Sequence, residues 1–370
     1  MKILLAPDSF KGSLTSARAA RILADAAEAV LGCETVCLSV ADGGEGTLEA
    51  IVDAANGESI DLTATGPLGN PVRARYGLID GGETAVVEMA RASGITLANP
   101  LDPVRATSRG TGEMIADALK RGARRFVVAI GGSATNDGGM GMLAALGGLF
   151  FDAVGNDLPG CGGDLEKVAS VDLSALPKLD VTVICDVTNP LLGPTGATCV
   201  YGPQKGADEE TLARLERGME NYAAVLGNRG EFPGAGAAGG VGYALAAVLG
   251  GTMKRGIDAV LDAVRFDSLL EDVDLVVTGE GRLDGQSVRY GKVPAGIARR
   301  CLARGIPVIA VAGGFGEGAE AFYDMGMTSF EPITDGPRTL EYAIGNAEEL
   351  LAGAARRLFS TLKIGMALAK

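Results

Sequence analysis

The segment spanning residues 3–57, ILLAPDSFKGSLTSARAARILADAAEAVLGCETVCLSVADGGEGTLEAIVDAANG, decides the fold class. It opens with an apolar strand over Ile3–Ala6, followed by a polar loop and an alanine-rich helix over about Ser16–Leu31. A second apolar run at Thr35–Val40 leads into a glycine-rich loop and another helix. Strand, loop, helix and strand in this order predict a parallel sheet with crossover helices.

The alternation of strands and helices stops after residue 60, where short loops separate three β-like runs. The runs are Asp61–Thr65, Val72–Ile79 and Glu83–Met89. Loops this short cannot carry a helix across a sheet, so these strands are expected to pair antiparallel. Strand-loop-helix units then return, with strands predicted at Phe126–Ile130, Val181–Cys185, Asp274–Val277 and Pro307–Ala312. We therefore predict an α/β protein whose chain ends build one doubly wound sheet, with a second unit inserted between them.

The composition excludes several functional classes. The 370 residues suggest two domains, and they include 56 glycines but no histidine. Without imidazole there can be no Ser-His-Asp triad, no histidine base and no HExxH metal site. The net charge of −13 argues against nucleic acid or an anionic membrane as a partner. No run of about 18 apolar residues and no signal peptide is found, so we expect a cytoplasmic protein.

The glycine-rich loops at predicted strand ends are the candidates for chemistry, because ligands of open α/β sheets bind beyond the carboxyl ends of the strands. Glycine allows backbone N–H groups to approach an anion closely. The richest loop, residues 131–139, places Ser133, Thr135, Asn136 and Asp137 after a glycine pair. Either helix capping or ligand binding would explain this polar group.

Charged residues mark the other candidate loops. In the loop 278–284, Glu280, Arg282 and Asp284 alternate; the arginine suits a carboxylate or phosphate, and the two carboxylates suit Mg²⁺. A surface ion-pair network is the alternative interpretation of the same three residues. A lone carboxylate, Asp186, directly follows an apolar strand, where it seldom serves packing.

Two segments resemble nucleotide-binding motifs, but neither satisfies all the requirements of its motif. The segment 234–239 fits GxGxxG, but no strand precedes it, so the dinucleotide-binding fingerprint is incomplete. The pair Gly291-Lys292 is followed by Val293 rather than Ser or Thr, and no Gly lies five positions before it. The chain therefore has no Walker A motif.

Taken together, these loops make the sequence resemble the bacterial glycerate kinase family of the two-domain type without a P-loop. Seven blocks occur in order along nearly the whole chain. They are residues 6–13, 41–47, 131–139, 185–191, 201–207, 233–240 and 278–284.

The resemblance implies a flavodoxin-like (Rossmann-like) parallel-sheet domain, residues 1–65 with 290–370, and an inserted α/β domain with a mixed sheet, residues 66–289. The active site is expected in the cleft between them. The implied activity is that of a kinase, which transfers the γ-phosphoryl group of ATP to a hydroxyl of glycerate with Mg²⁺. The expected substrate is (R)-glycerate and the product 2-phosphoglycerate, with 3-phosphoglycerate as the alternative. A homodimer is left open.

The site residues follow from the resemblance together with the chemistry of phosphoryl transfer. Asp186 is expected to orient or deprotonate the hydroxyl, while Lys11, Lys205 and Arg282 offset anionic charge. Glu280 or Asp284 is expected to help hold Mg²⁺. The remaining predicted substrate- or phosphate-binding residues are Asp8, Ser9, Asp42, Gly43, Gly44, Glu45, Gly131, Gly132, Ser133, Thr135, Asn136, Asp137 and Asn189.

Two other classes fit some of the same features. A nicotinamide-dependent dehydrogenase would explain the glycine-rich strand ends, but the fingerprint in a strand context and the usual histidine are missing. A small-molecule binding protein would explain a cleft without catalysis, but it should carry a secretion signal.

Overall fold

The computed structural model describes residues 1–44, 46–229, 231–289 and 291–368 and divides the chain into two compact units. The first unit combines residues 1–42 with 260–370, and the second comprises residues 43–259. Glu45, one of the predicted site residues, lies outside the described residues.

Thirteen strands are found in the described part of the chain. They are β1 Lys2–Pro7, β2 Glu34–Cys37, β3 Glu58–Thr65, β4 Pro71–Ile79, β5 Thr84–Glu88, β6 Arg125–Ala129, β7 Leu149–Phe151, β8 Ser170–Asp172, β9 Asp180–Ile184, β10 Thr252–Lys254, β11 Leu275–Glu280, β12 Val308–Ala312 and β13 Ser329–Pro332.

The α-helices of the same residues vary from a single turn to 22 residues. They are α1 Ser16–Leu31, α2 Thr47–Ala54, α3 Ala90–Ser93, α4 Arg109–Lys120, α5 Met140–Ala145, α6 Ala197–Tyr201, α7 Glu209–Val225, α8 Ala237–Tyr243, α9 Gly256–Ala263, α10 Phe266–Leu269, α11 Gly285–Arg289, α12 Val293–Leu302, α13 Ala321–Asp324, α14 Leu340–Gly345 and α15 Ala347–Leu368.

The sheet of the first unit is entirely parallel, in the order β2-β1-β11-β12-β13. Counted within the unit this is the order 2-1-3-4-5 of flavodoxin-like folds. The chain first adds β2 on one side of β1 and later adds β11 on the other side. The topological switch point therefore lies between β1 and β11.

The sheet of the second unit is mixed, in the order β10-β9-β6-β5-β4-β3. β3 pairs antiparallel with β4, and β4 pairs antiparallel with β5, as the short loops predict. The remaining neighbours β5, β6, β9 and β10 are parallel. These two sheets confirm the predicted fold class.

The unit boundaries fall at 42/43 and 259/260 rather than at the predicted 65/66 and 289/290. Strand pairing explains both differences. β3 forms eight residue pairs with β4 and so belongs to the mixed sheet, although it precedes residue 66. β11 pairs with β1 and so belongs to the parallel sheet, although it precedes residue 290.

Each unit has its own apolar core. In the first unit, helix α1 contributes buried alanines that pack with α15, and the helix ends explain why it forms where the sequence predicts. The Thr15 hydroxyl accepts a hydrogen bond from the Arg18 N–H, which caps the start. Gly32 has a φ of 63° and its N–H donates to the Glu28 carbonyl, which closes the end.

Four strands and one helix break were not predicted. One of these strands is β13, a four-residue edge strand at Ser329–Pro332. β7, β8 and β10 have only three residues each, too few for a period-2 pattern. The sequence also predicts one long helix over about Leu340–Met366, whereas the structure has two helices, α14 and α15, which meet at Asn346.

Gly279→Ala tests the register of β11 against β12. A Cβ at Gly279 would lie 2.3 Å from the Val311 carbonyl oxygen, and the backbone of a central strand has no room to shift. We expect a loss of about 1–3 kcal/mol in the free energy of unfolding, measured by urea denaturation. Gly314→Ala is the matched control, since nothing lies within 4 Å of its Cβ position. Equal stabilities of the two variants would contradict the register.

Candidate active site

The carboxyl ends of β1 and β11 carry two acidic residues at the switch point of the parallel sheet. Asp8 directly follows β1, and Glu280 is the last residue of β11. The Asp8 N–H donates to the Gly279 carbonyl at 2.8 Å, which fixes the two chain segments side by side. Ligands of such sheets bind in the crevice outside these strand ends.

Both carboxyl groups are buried: Asp8 is 7% exposed and Glu280 is 5% exposed. Burial, followed by the nearby charge of Asp42, raises the pKa of Asp8 to about 6. Burial likewise raises the pKa of Glu280 to about 7. Glu280 Oε1 has no hydrogen-bond partner among the described residues, which is costly for a buried oxygen unless a ligand completes it.

Two lysines oppose these raised pKa values. Lys11 lies in the exposed turn after β1, and its charge lowers the pKa of Asp8. Lys292 precedes α12, and its charge lowers the pKa of both Asp8 and Glu280. Sequence reasoning missed Lys292 because Gly291-Lys292 was tested only against the P-loop pattern. A lysine at a helix start, two residues before Pro294, was the signal available.

Asp284 has a different environment from Glu280. Its Oδ1 accepts hydrogen bonds from the N–H groups of Gln286 and Ser287, each at 3.0 Å, at the start of α11. The backbone hydrogen bond from Ser287 lowers the pKa of Asp284. Its Oδ2 lies 3.5 Å from Nε of Arg282, a side chain that is 69% exposed. Over the described ranges, no cluster of three or more carboxylate or thiol groups is arranged to hold a metal ion.

In the second unit, β5, β6, β9 and β10 are parallel and end on one edge of the sheet. The loop 131–139 starts at this edge, after β6. A Cβ on Gly131 or Gly132 would meet nothing closer than 3.5 Å. Their backbone therefore faces open space that a ligand can enter.

A buried cation lies in the same loop cluster. Lys205, in the turn Pro203–Lys205, is 2% exposed. Its Nζ donates to Ser133 Oγ at 2.9 Å and to the Thr135 carbonyl at 2.6 Å. An ammonium group has three N–H donors, and these two contacts leave one for a ligand. Burial lowers the pKa of Lys205 to about 8.

The acidic residue of this loop faces the protein interior. Asp137 is fully buried, and its carboxylate accepts hydrogen bonds from the N–H and hydroxyl of Ser108 and from the N–H groups of Gly139 and Gly141. Burial raises the pKa of Asp137. This carboxylate shapes the loop.

Thr135 and Asn136 are also directed inward. The Asn136 amide donates to Thr198 Oγ1 at 3.1 Å, and Asn136 Oδ1 is buried without a hydrogen-bond partner among the described residues. Thr135 Oγ1 donates to the Ala238 carbonyl at 3.4 Å. The open backbone of Gly131 and Gly132, the Ser133 hydroxyl and the Lys205 ammonium are thus the groups of this loop that remain suited to contact an anion.

Asp186 lies at the carboxyl end of β9 and is exposed. Its Oδ1 accepts a hydrogen bond of 2.8 Å from the N–H of Gly256, the first residue of α9. Gly43 packs against the same place: its φ is 94°, and a Cβ there would lie 2.8 Å from Gly256 Cα and 3.6 Å from Asp186 Oδ2. Only glycine fits this position.

The other predicted residues are placed as follows. Asn189 is held internally, since its Oδ1 accepts from the Tyr201 hydroxyl at 2.6 Å and its amide donates to the Thr195 carbonyl at 2.8 Å. The Ser9 N–H donates to Asp8 Oδ1 at 2.6 Å. Gly44 is exposed. Apart from Glu45, the predicted residues fall into two sets, one in each unit.

Sequence reasoning also missed an ion pair at the end of β5. Glu88 is 5% exposed and accepts hydrogen bonds of 2.8 Å from the Leu48 N–H and from Nε of Arg91. The signal was the one that singled out Asp186: a lone carboxylate after an apolar strand.

These features define an α/β protein with two units, each of which brings cations, carboxylates and glycines to the carboxyl ends of parallel strands. This is the arrangement of enzymes that handle small anions. The profile of the glycerate kinase family matches residues 3–363. The chain belongs to the glycerate kinase family, which confirms the family predicted from the sequence and the assignment to the ATP-dependent kinases.

Individual relatives cover nearly the whole chain. It is 46% identical to the glycerate kinase of Bacillus subtilis (strain 168), over 98% of each chain. It is 42% identical to the glycerate 2-kinase of Escherichia coli (strain K12), over 99% of each. The crystal structure named glycerate kinase 2 from Salmonella typhimurium LT2 superposes with a TM-score of 0.90 at 42% identity, over 99% of each chain. No helix of the described chain is long and apolar enough to cross a membrane.

The raised pKa of Glu280 predicts a pH-dependent stability in metal-free buffer. The folded state retains a proton up to about pH 7, whereas the unfolded state loses it near the ordinary glutamate pKa of 4.5. Folded protein therefore binds more protons between these values, and this contribution to stability is lost as pH rises through 7. Glu280→Gln, which mimics the protonated form, should be more stable than the native protein at pH 8 by about 3 kcal/mol.

At pH 4.5 the same variant should match the native protein. Urea denaturation with EDTA at both pH values measures the difference. The exposed Glu271→Gln is the control and should show no such change between the two pH values. A Glu280→Gln difference that is the same at pH 4.5 and pH 8 would contradict the buried, proton-retaining carboxyl group.

Proposed function

We propose that this protein transfers the γ-phosphoryl group of ATP to the 2-hydroxyl of (R)-glycerate, giving 2-phosphoglycerate and ADP. The observation that carries the proposal is membership of the glycerate kinase family over residues 3–363. The 2-position is supported by the Escherichia coli relative, which is named a glycerate 2-kinase. Phosphoryl transfer requires positioned anions, offset charge and an oriented hydroxyl, and the residues of both units supply such groups.

The anion site of the second unit is assigned to binding a carboxylate or phosphate. The Lys205 ammonium, held by Ser133 and Thr135, provides a positive charge whose position is fixed. Gly131 and Gly132 provide backbone that an anion can approach. Asp137 acts as a positioning residue, because its hydrogen bonds set the course of the loop.

Asp186 is assigned as the group that accepts the proton of the attacking hydroxyl. The glycerate oxygen forms a bond to the γ-phosphorus, the bond from that phosphorus to the β,γ-bridging oxygen breaks, and ADP leaves. The hydroxyl proton passes to the Asp186 carboxylate, as it does to an aspartate in protein kinases. The N–H of Gly256 fixes one oxygen of this carboxylate, which orients the other.

The first unit supplies residues that fit Mg²⁺. Glu280 Oε1 is a buried hard oxygen without a partner among the described residues, and Asp8 is a second buried carboxyl group at the same switch point. Mg²⁺ is usually held by one or two protein carboxylates together with substrate phosphates and water, so no larger cluster is required. When bound, the ion neutralises charge on the transferred phosphoryl group. Lys11 and Arg282 are assigned to offset the remaining anionic charge.

Asp284 is a weaker candidate for Mg²⁺ than Glu280. Its Oδ1 caps α11, and its Oδ2 faces Arg282. We keep it as a residue that contacts the ion through water. The cytoplasmic location and the homodimer are kept as further predictions.

The test is ADP release measured with a coupled assay, with (R)- or (S)-glycerate and with or without Mg²⁺. We expect release that depends on both glycerate and Mg²⁺. Asp186→Asn should lower kcat by a factor of about 10²–10⁴ and leave the fold intact, because the amide cannot accept the proton. Asp180→Asn, at the opposite end of the same strand and exposed, is the matched control and should keep the native kcat.

Two outcomes would count against the proposal. Absence of ADP above background with both enantiomers would contradict the activity. Turnover by Asp186→Asn close to that of Asp180→Asn would contradict the role of Asp186 and leave the activity standing.

A further inference from the structure

A cluster of three aromatic rings, two exposed and one half-buried, lies in the flavodoxin-like unit. Phe315 follows β12, Tyr323 is in α13, and Phe330 is in the edge strand β13. The Phe330 ring centroid lies 5.0 Å from that of Phe315 and 4.8 Å from that of Tyr323. Phe315 is 40% exposed and Tyr323 is 50% exposed, so a large apolar surface is left in contact with solvent. We call these three residues the aromatic platform.

The position of Phe315 is fixed by its backbone neighbours. The Leu283 N–H donates to the Gly314 carbonyl at 3.0 Å, and the Gly316 N–H donates to the Leu283 carbonyl at 2.7 Å. These two hydrogen bonds form a parallel bridge between Leu283 and Phe315. The backbone of Phe315 is thereby held beside the loop that leaves β11, the strand that ends on Glu280.

The Arg282 guanidinium lies against Gly316, the residue that follows Phe315. A Cβ on Gly316 would be 2.9 Å from Nη2 and 3.0 Å from Nε of Arg282, so the guanidinium lies against this glycine, next to Phe315. The Arg282 side chain is 69% exposed, and its contact with Asp284 spans 3.5 Å. A planar cation in such an exposed position suits a phosphate group.

We propose that the aromatic platform binds the adenine base of ATP and that Arg282 contacts its phosphates. This inference rests on the proposed function, because that function requires the protein to bind ATP. Stacking on aromatic rings suits any planar base, and the neighbouring guanidinium suits the anionic part of the same molecule. An apolar surface and a cation side by side therefore match the two ends of a nucleotide.

The spacing of the strands agrees with this assignment. β1, β11, β12 and β13 are consecutive neighbours, so three strand spacings, about 14 Å, separate β1 from β13. A triphosphate chain starting at the platform can extend along the carboxyl ends of these strands toward Glu280 and Asp8. Nucleotides bind at this edge, near the switch point, in folds with the same strand order.

The test is isothermal titration with adenosine and, separately, with ATP and Mg²⁺. Phe315→Ala should raise the Kd of both ligands by a factor of about 5–150, the usual effect of removing one stacked ring, and Tyr323→Ala should act in the same direction. Arg282→Gln should raise the Kd of ATP and leave that of adenosine unchanged. Tyr342→Ala is the matched control: this tyrosine is 41% exposed in the same unit, lies against Arg338, and is not part of the platform.

Phe315→Leu separates the loss of stacking from a folding defect, because leucine keeps apolar volume at this position but has no aromatic ring. It should keep the native Tm and still bind adenosine more weakly. Unchanged Kd values in Phe315→Ala and Tyr323→Ala would overturn the proposal. Unchanged Kd values together with a smaller assembly on size-exclusion chromatography would overturn it too and assign the surface to a second copy of the chain.

The failure of the platform and the failure of the proposed function give different results. If the native protein binds adenosine and the platform variants do not, the platform stands even where glycerate causes no ADP release. If glycerate-dependent ADP release occurs with unchanged Kd values in the variants, the activity stands and the platform is wrong.

Discussion

The parallel pairing of β1 with β11 is the constraint on which the first unit depends. It brings a strand from the amino terminus beside a strand from the last third of the chain, in the register Ile3 to Leu275. This pairing creates the switch point, and the switch point places Asp8 and Glu280 at the same edge. Burial disfavours the charged form of each carboxyl group, so the two groups gain no stability from lying close together. The strand pairing is what places them side by side.

The chain has no histidine, so the buried environments of Glu280 and Lys205 matter for its chemistry. Acid–base and anion-binding work near neutral pH then falls to groups whose pKa values are shifted toward neutrality. Burial moves the pKa of Glu280 up to about 7 and that of Lys205 down to about 8. A phosphoryl-transfer enzyme can operate with such carboxylates and cations, because most of its task is positioning and electrostatic stabilisation.

The glycine excess serves two purposes, and only one could be predicted. The sequence indicated backbone approach to an anion, and the open backbone at Gly131 and Gly132 agrees with that role. Other glycines allow segments of the protein to approach each other. A Cβ on Gly239 would lie 2.0 Å from the Thr135 carbonyl oxygen. The segment 234–239, which fits GxGxxG, therefore packs closely against the loop 131–139.

Many of the strands and the strand-end loops followed from periodicity, because apolar runs and glycine breaks are local signals. The direction of each side chain did not. Asp137 and Asp186 look alike in the sequence, yet one is fully buried among hydrogen-bond donors and the other is exposed. Lys292 joins the acidic pair only through tertiary packing. The boundary near residue 42 depends on the pairing of β3 with β4, which no local pattern specifies.

The phosphorus NMR spectrum of the product formed from (R)-glycerate, ATP and Mg²⁺ tests the central claim most directly. We predict a phosphomonoester signal that coincides with added 2-phosphoglycerate and grows in step with ADP. A signal that coincides with 3-phosphoglycerate would contradict the position of transfer. Inorganic phosphate alone, formed with or without glycerate, would contradict a glycerate kinase.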